Sequence, residues 1–151
     1  MRAKNSDAAP HCILLVDDNA HGLRARKMVL EELGYRIVTA SNGRDALEQF
    51  TPRAFKLVVT DYKMPHMDGL ELITHLRKRE PDLPIVLISG FADTLGLNEQ
   101  NTNADVVIQK SANEVSHLVQ AVSRLMRAKR ARKPTRAAGA QPRPKAKGKA
   151  V

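Results

Sequence analysis

The chain has 151 residues, with 25 Lys and Arg against 16 Asp and Glu, five His, one Cys and no Trp. A chain of this length suits one domain that buries about two-thirds of its unfolded surface, and a single cysteine, Cys12, excludes an internal disulfide. No apolar stretch nears the ~20 residues that cross a bilayer, and residues 1–10 lack the apolar core of a secretory signal, so a cytoplasmic location is expected.

Residues 1–9 are polar and are expected to be disordered. Ile13 to Val16 is an apolar run that ends in Asp17 and Asp18. Residues 20–33 follow as an amphipathic helix, stopped by Gly34 as a C-terminal cap. Residues 35–40 read as a second strand. Arg36 and Thr39 make it less apolar than the rest, as suits a sheet edge. Residues 41–50 form a short helix with Ala46, Leu47 and Phe50 on one side. Leu57 to Val59 runs through Thr60 into Asp61. Asp68 and Glu71 resemble a capping box for a helix through Arg79, which Pro81 and Pro84 end. Ile85 to Ile88 runs into Ser89. Residues 92–104, with Gly96, several Asn and only Leu95 and Leu97 as anchors, predict a short or loose helix. Val106 to Ile108 leads to Gln109 and Lys110. Ser111 and Glu114 predict another capping box. The helix after it carries Val115, Leu118, Val119, Val122, Leu125 and Met126 at helical spacing, a core stripe.

The charge is divided as sharply as the pattern. Residues 127–151 hold ten Lys and Arg and no acid, so the first 126 residues carry fifteen bases against sixteen acids. The body, residues 10–126, is nearly neutral. The tail, 127–151, has little to bury and repels itself, so it is expected to be disordered, with a possible helical start at 127–133.

Strand runs alternating with helices predict an α/β fold with a doubly wound parallel sheet. Asp17, Asp18, Asp61, Ser89 and Lys110 then emerge at the C-terminal rim, where open α/β sheets bind ligands. One such Asp taken alone is ordinarily a cap or turn residue; groups after four of the five strand runs point jointly to a site. Two carboxylates ~4 Å apart repel by about 4 kcal/mol at an effective dielectric near 20, so the site calls for a cation. Carboxylate oxygens and water suit Mg²⁺. A strand-end Asp can attack phosphorus to form an acyl phosphate. Lys110 and the Ser89 hydroxyl can hold phosphoryl oxygens. Neither a Walker-type loop nor a Gly-x-Gly-x-x-Gly turn is present.

The motifs Leu-Leu-Val-Asp-Asp at 14–18, Thr-Asp-Tyr-Lys-Met-Pro at 60–65, Met-Asp-Gly-Leu-Glu-Leu-Ile at 67–73 and Ile-Ser-Gly at 88–90, together with Lys110, resemble the receiver domain of two-component response regulators over residues 10–126. The resemblance implies a flavodoxin-like five-stranded fold of strand order 2-1-3-4-5. It implies Asp61 as phosphoacceptor, Asp18 as a direct Mg²⁺ ligand, Asp17 as a second acid acting through water, and the Lys63 backbone carbonyl as a further ligand. Ser89 takes the switch hydroxyl position and Lys110 the lysine position. The implied donor is a phosphohistidine on a sensor kinase or phosphotransfer protein, and the implied role is signalling rather than enzymatic turnover of a separate substrate. Two positions depart from the family pattern. Val107 stands where an aromatic residue is usual, and Ser111 stands where a proline often follows the lysine.

The leading expectation is therefore a single-domain phosphoacceptor response regulator that signals by protein–protein contact. One alternative is a phosphate sink or relay intermediate without the customary output switch, which Val107 favours. Another is a nucleic-acid-associated scaffold acting through the basic tail. That tail can bind nucleic acid or another polyanion by counterion release, yet it has no aromatic residue with which to stack bases. The side chains of Lys63 and His66, and the scattered His11, His21, His75 and His117, suggest no catalytic base or metal set.

Overall fold

The computed structural model describes residues 12–139, with side chains through residue 128. The expected disordered segment 1–9, residues 140–151 and most side chains of the proposed polyanion-binding tail thus lie outside the described residues.

Five parallel strands form one sheet: β1 Cys12–Val16, β2 Arg36–Ala40, β3 Leu57–Asp61, β4 Ile85–Ser89 and β5 Val106–Gln109. Their order is β2-β1-β3-β4-β5, the flavodoxin-like arrangement. β3 and β4 are buried along their whole length, which explains why they read as apolar runs up to the polar residues that end them. β2 lies at one edge, where Arg36 is exposed. β5 forms the other edge.

Successive strand side chains alternate between two layers. Leu14, Val16, Val58, Ile85 and Leu87 face one layer, packed by Ala46, Leu72, Ile73 and Leu76. Ile13, Leu15, Leu57, Val59, Val86, Ile88 and Ile108 face the other, packed by Leu30, Leu118, Val122 and Met126. The apolar stripe of the last helix is therefore core, as its spacing predicts.

Helix α1 spans Ala20–Glu32, and Asn19 caps it by accepting from the Gly22 N–H. Gly34, at φ +97, donates to the Glu31 carbonyl and closes the turn, the cap the sequence predicts. Helix α2, Gly43–Gln49, is capped by Asn42. Helix α3, Gly69–Arg79, is capped by Asp68, which accepts from the Glu71 N–H at 3.0 Å. Its last turn carries Arg77, Lys78 and Arg79, favourable to the helix dipole.

The weak stretch resolves into two single turns, α4 Ala92–Leu95 and α5 Glu99–Thr102. Gly96 in the left-handed region ends α4. Asn98 and Asn101 then form a capping box that starts a new turn rather than prolonging the first. The Glu99 carboxylate accepts from the Val107 N–H on edge strand β5 at 3.2 Å.

Helix α6 runs Glu114–Gly139, beyond residue 126. The capping box expected from Ser111 and Glu114 forms differently. Ser111 Oγ accepts from the Asn113 N–H, while Glu114 Oε2 turns inward to Arg26. A buried guanidinium is the stronger claim on that carboxylate.

Candidate functional site

The sheet register sets the site. Val16 pairs with Thr60, Asp61 with Ile88, and Ser89 with Gln109, so the residues that end or follow these strands share one rim. Asp17, Asp18 and Asp61 each offer a carboxylate oxygen, all within 4.8 Å of one another. Asp17 and Asp61 are buried and Asp18 is exposed. Lys110 Nζ lies 3.0 Å from Asp61 Oδ1. The approach lacks hydrogen-bond direction, so Oδ1 is buried with no directed hydrogen bond.

Burial pushes the Asp61 carboxyl above its ordinary value. Lys110 pulls it back, the Asp17 charge adds to the rise and Arg26 opposes it. A carboxylate this poorly solvated, next to two more, is a site seeking a cation. Clustered hard oxygens with one buried oxygen short of a donor fit a divalent cation such as Mg²⁺.

Two glycines let backbone and charge come close. A Cβ on Gly69 would lie 2.4 Å from the Asp61 carbonyl oxygen and 2.9 Å from Leu87 Cδ1, so only glycine lets α3 begin there. The Gly69 N–H donates to the Tyr62 carbonyl at 2.7 Å and fixes the loop after Asp61. On the other side, a Cβ on Gly22 would lie 3.1 Å from Asp17 Oδ2.

The residue that sequence reasoning missed is Arg26. It is 5 % exposed and pairs with Asp17 Oδ2 at 2.5 Å and with Glu114 Oε2 at 2.7 Å. Burial works to lower its pKa, but the bond and charge of Glu114, then Asp17, outweigh that and hold it above the ordinary value. Asp17 Oδ1 accepts from the Asn19 N–H at 2.9 Å. Both Asp17 oxygens thus have protein partners. A signal existed in the sequence: Leu23, Arg26 and Leu30 share helical spacing, which puts a base on an apolar stripe.

Ser89 is buried and accepts on Oγ from the Phe91 N–H at 2.8 Å, with its own O–H still able to donate. Its carbonyl accepts from the Lys110 N–H at 2.9 Å, so the two residues sit side by side at the rim. Gln109, which the sequence left without a role, binds the adjacent loop. Its Oε1 accepts from the Asp93 N–H at 2.8 Å and its Nε2 donates to the Gly90 carbonyl at 3.1 Å. Lys63 Nζ lies 5.2 Å from the Phe91 ring centroid, a cation–π contact across the mouth of the rim. His66 holds φ +70 in the loop between β3 and α3.

No helix among the described residues is long and apolar enough to cross a membrane. The family model for the response regulator receiver domain matches residues 13–123. The chain is 31% identical over 114 residues to the response regulator receiver protein CpdR of Brucella abortus, covering 76% of this chain and 95% of that protein. It is also 31% identical over 137 residues to the probable transcriptional regulator ycf27 of Cyanidium caldarium, covering 87% of this chain; the match spans about half, 54%, of that longer relative. Among solved structures, a receiver domain from Clostridium thermocellum superposes with a TM-score of 0.71 at 25% identity, over 80% of this chain and 97% of that one. The response regulator TrrA of Thermotoga maritima, in complex with Mg(2+)-BeF, superposes at 0.68 with 34% identity, over 76% of this chain and 97% of that one.

Proposed function

This chain belongs to the response regulator receiver family, and from that premise we propose that Asp61 accepts a phosphoryl group from a phosphohistidine on a sensor kinase or phosphotransfer protein. The observation that carries the reading is Asp61 itself: a buried carboxylate at a strand end, within 4.8 Å of two further acids and 3.0 Å from a lysine.

In the proposed step an Asp61 oxygen attacks phosphorus and forms a P–O bond. The P–N bond to the donor imidazole breaks, and its electron pair returns to the ring. Lys110 neutralises charge on the phosphoryl oxygens, and the Ser89 O–H donates to one of them. Asp18 and Asp61 would hold Mg²⁺ directly, with Asp17 acting through water and the Lys63 carbonyl as a further ligand. When bound, the ion would offset charge on the transferring group. The new charge on Asp61 then biases a two-state equilibrium that a partner protein reads in the cytoplasm.

A small acyl-phosphate donor tests the assignment. The wild type should become labelled in Mg²⁺ and not in chelator, and Asp61→Asn should not be labelled. Equal labelling of the two proteins overturns it. A second reading, a phosphate sink or relay intermediate, draws support from Val107, which leaves β5 without the family's usual aromatic residue. Rapid phosphotransfer with no change in any partner's affinity would favour it.

A further inference from the structure

We infer that Arg26 is a built-in counter-cation of the acidic site: it holds Asp17 back from direct ligation and sets how tightly the site takes Mg²⁺, with Glu114 tempering it. This rests on the reading that the acids hold Mg²⁺.

The fold does not require a charge at position 26. The side chain lies on the face of α1 that carries Leu30, against the apolar layer of β1, β3 and α6. Buried ion pairs in such places are often no more stable than apolar side chains of the same volume. The local backbone nevertheless accommodates the pair. Gly22, a weak helix former in the first turn of α1, leaves open the space where a Cβ would lie 3.1 Å from Asp17 Oδ2 and 3.8 Å from Arg26 Nη1.

The electrostatic consequence follows from the pairing. Arg26 takes one oxygen of Asp17, and the Asn19 N–H takes the other. A guanidinium, unlike an ammonium, does not shed its proton in a protein. Its charge is thus a permanent term against any cation that enters beside Asp17. Glu114, on the far side of Arg26, offsets part of that term without touching the acids itself. Removing the two members of this pair should therefore move metal affinity in opposite directions.

The test is Mg²⁺ titration of the full chain by calorimetry, repeated with Mn²⁺ by electron paramagnetic resonance. Arg26→Gln should bind about three- to tenfold tighter than wild type, and Glu114→Gln about twofold weaker. The double variant should fall between Arg26→Gln and Glu114→Gln, because the two charges act with opposite sign. Arg26→Lys, which keeps the charge but cannot hold both carboxylates, should fall between wild type and Arg26→Gln. A purely structural Arg26 would weaken binding in both single variants, or change it in neither, and either result overturns the inference. If Arg26→Gln does not fold, Arg26→Leu makes the same charge change with an apolar side chain. If neither wild type nor any variant binds the ions, the metal reading itself is wrong; if all bind equally, only this inference is.

Discussion

The two sides of the rim are built by different physics. On the β1–β3 side, charged groups sit among buried apolar layers: Asp17, Arg26 and Asp61 are each no more than 5 % exposed. Their positions are set by strand register, by close-approach glycines and by ion pairs that cannot rearrange without leaving a buried charge alone. On the β4–β5 side, the loop after Ser89, the turns α4 and α5 and the edge strand are joined by hydrogen bonds to the half-buried side chain of Gln109 and the exposed ones of Asn98 and Glu99. Such bonds are worth about 1 kcal/mol each and exchange readily with water. One side is suited to hold chemistry in place, and the other to change shape around it.

The largest expected effect lies on the rigid side. Asp61→Asn should abolish phosphoryl labelling, because no other carboxylate there is both at a strand end and next to Lys110; residual labelling above about one-hundredth of wild type would blur the distinction between the two sides. Next comes Gly69→Ala. A Cβ pressed against the Asp61 carbonyl must displace either the loop or α3, a cost of about 3 kcal/mol readable as a shift in urea midpoint.

On the softer side, Gln109→Ala should cost only about 1 kcal/mol. It should speed amide exchange across residues 90–96 while leaving β3 amides protected. Faster exchange throughout the sheet would show the two sides to be one cooperative unit.

The smallest effect has an inverted sign. Burial raises the Asp61 pKa in the folded chain, so the ionised carboxylate opposes folding when no metal is present. In chelator at neutral pH, Asp61→Asn should melt a few degrees higher than wild type. The gap should narrow as pH falls through the raised folded-state value and close below the ordinary carboxylate range, where the wild type is protonated in both states. A gap that widens with acid would contradict the burial argument.

Legibility in the sequence follows the same division. The runs 57–59 and 85–88 were readable because strand residues buried on both faces are mostly apolar, and the buried polar residues that follow them, Thr60, Asp61 and Ser89, stand at the rim. The acids were readable because three of them, at strand ends, had no bland joint explanation. Residues 92–104 were readable only as weak, since the Gly96 stop and the Asn98 restart depend on left-handed backbone and local side-chain bonds. Arg26 was legible only as a base on an apolar stripe, because its partners lie elsewhere: Asp17 at a strand end and Glu114, 88 residues away in the chain. The same long-range contact upset the expected Ser111–Glu114 box, so one unseen pair accounts for both misreadings.

The bond from the Val107 N–H to the Glu99 carboxylate bears on self-association. β5 is the sheet's outer strand on that flank, and an outer strand with free amides invites a second chain to add its own strand. Here one of those amides is already taken by a carboxylate on α5. A strand from another copy that pairs at Val107 must first evict a charged group and then leave it beside the new ladder. Glu99 thus raises the cost of pairing a further strand at Val107, and a single turn of helix is enough to place it there.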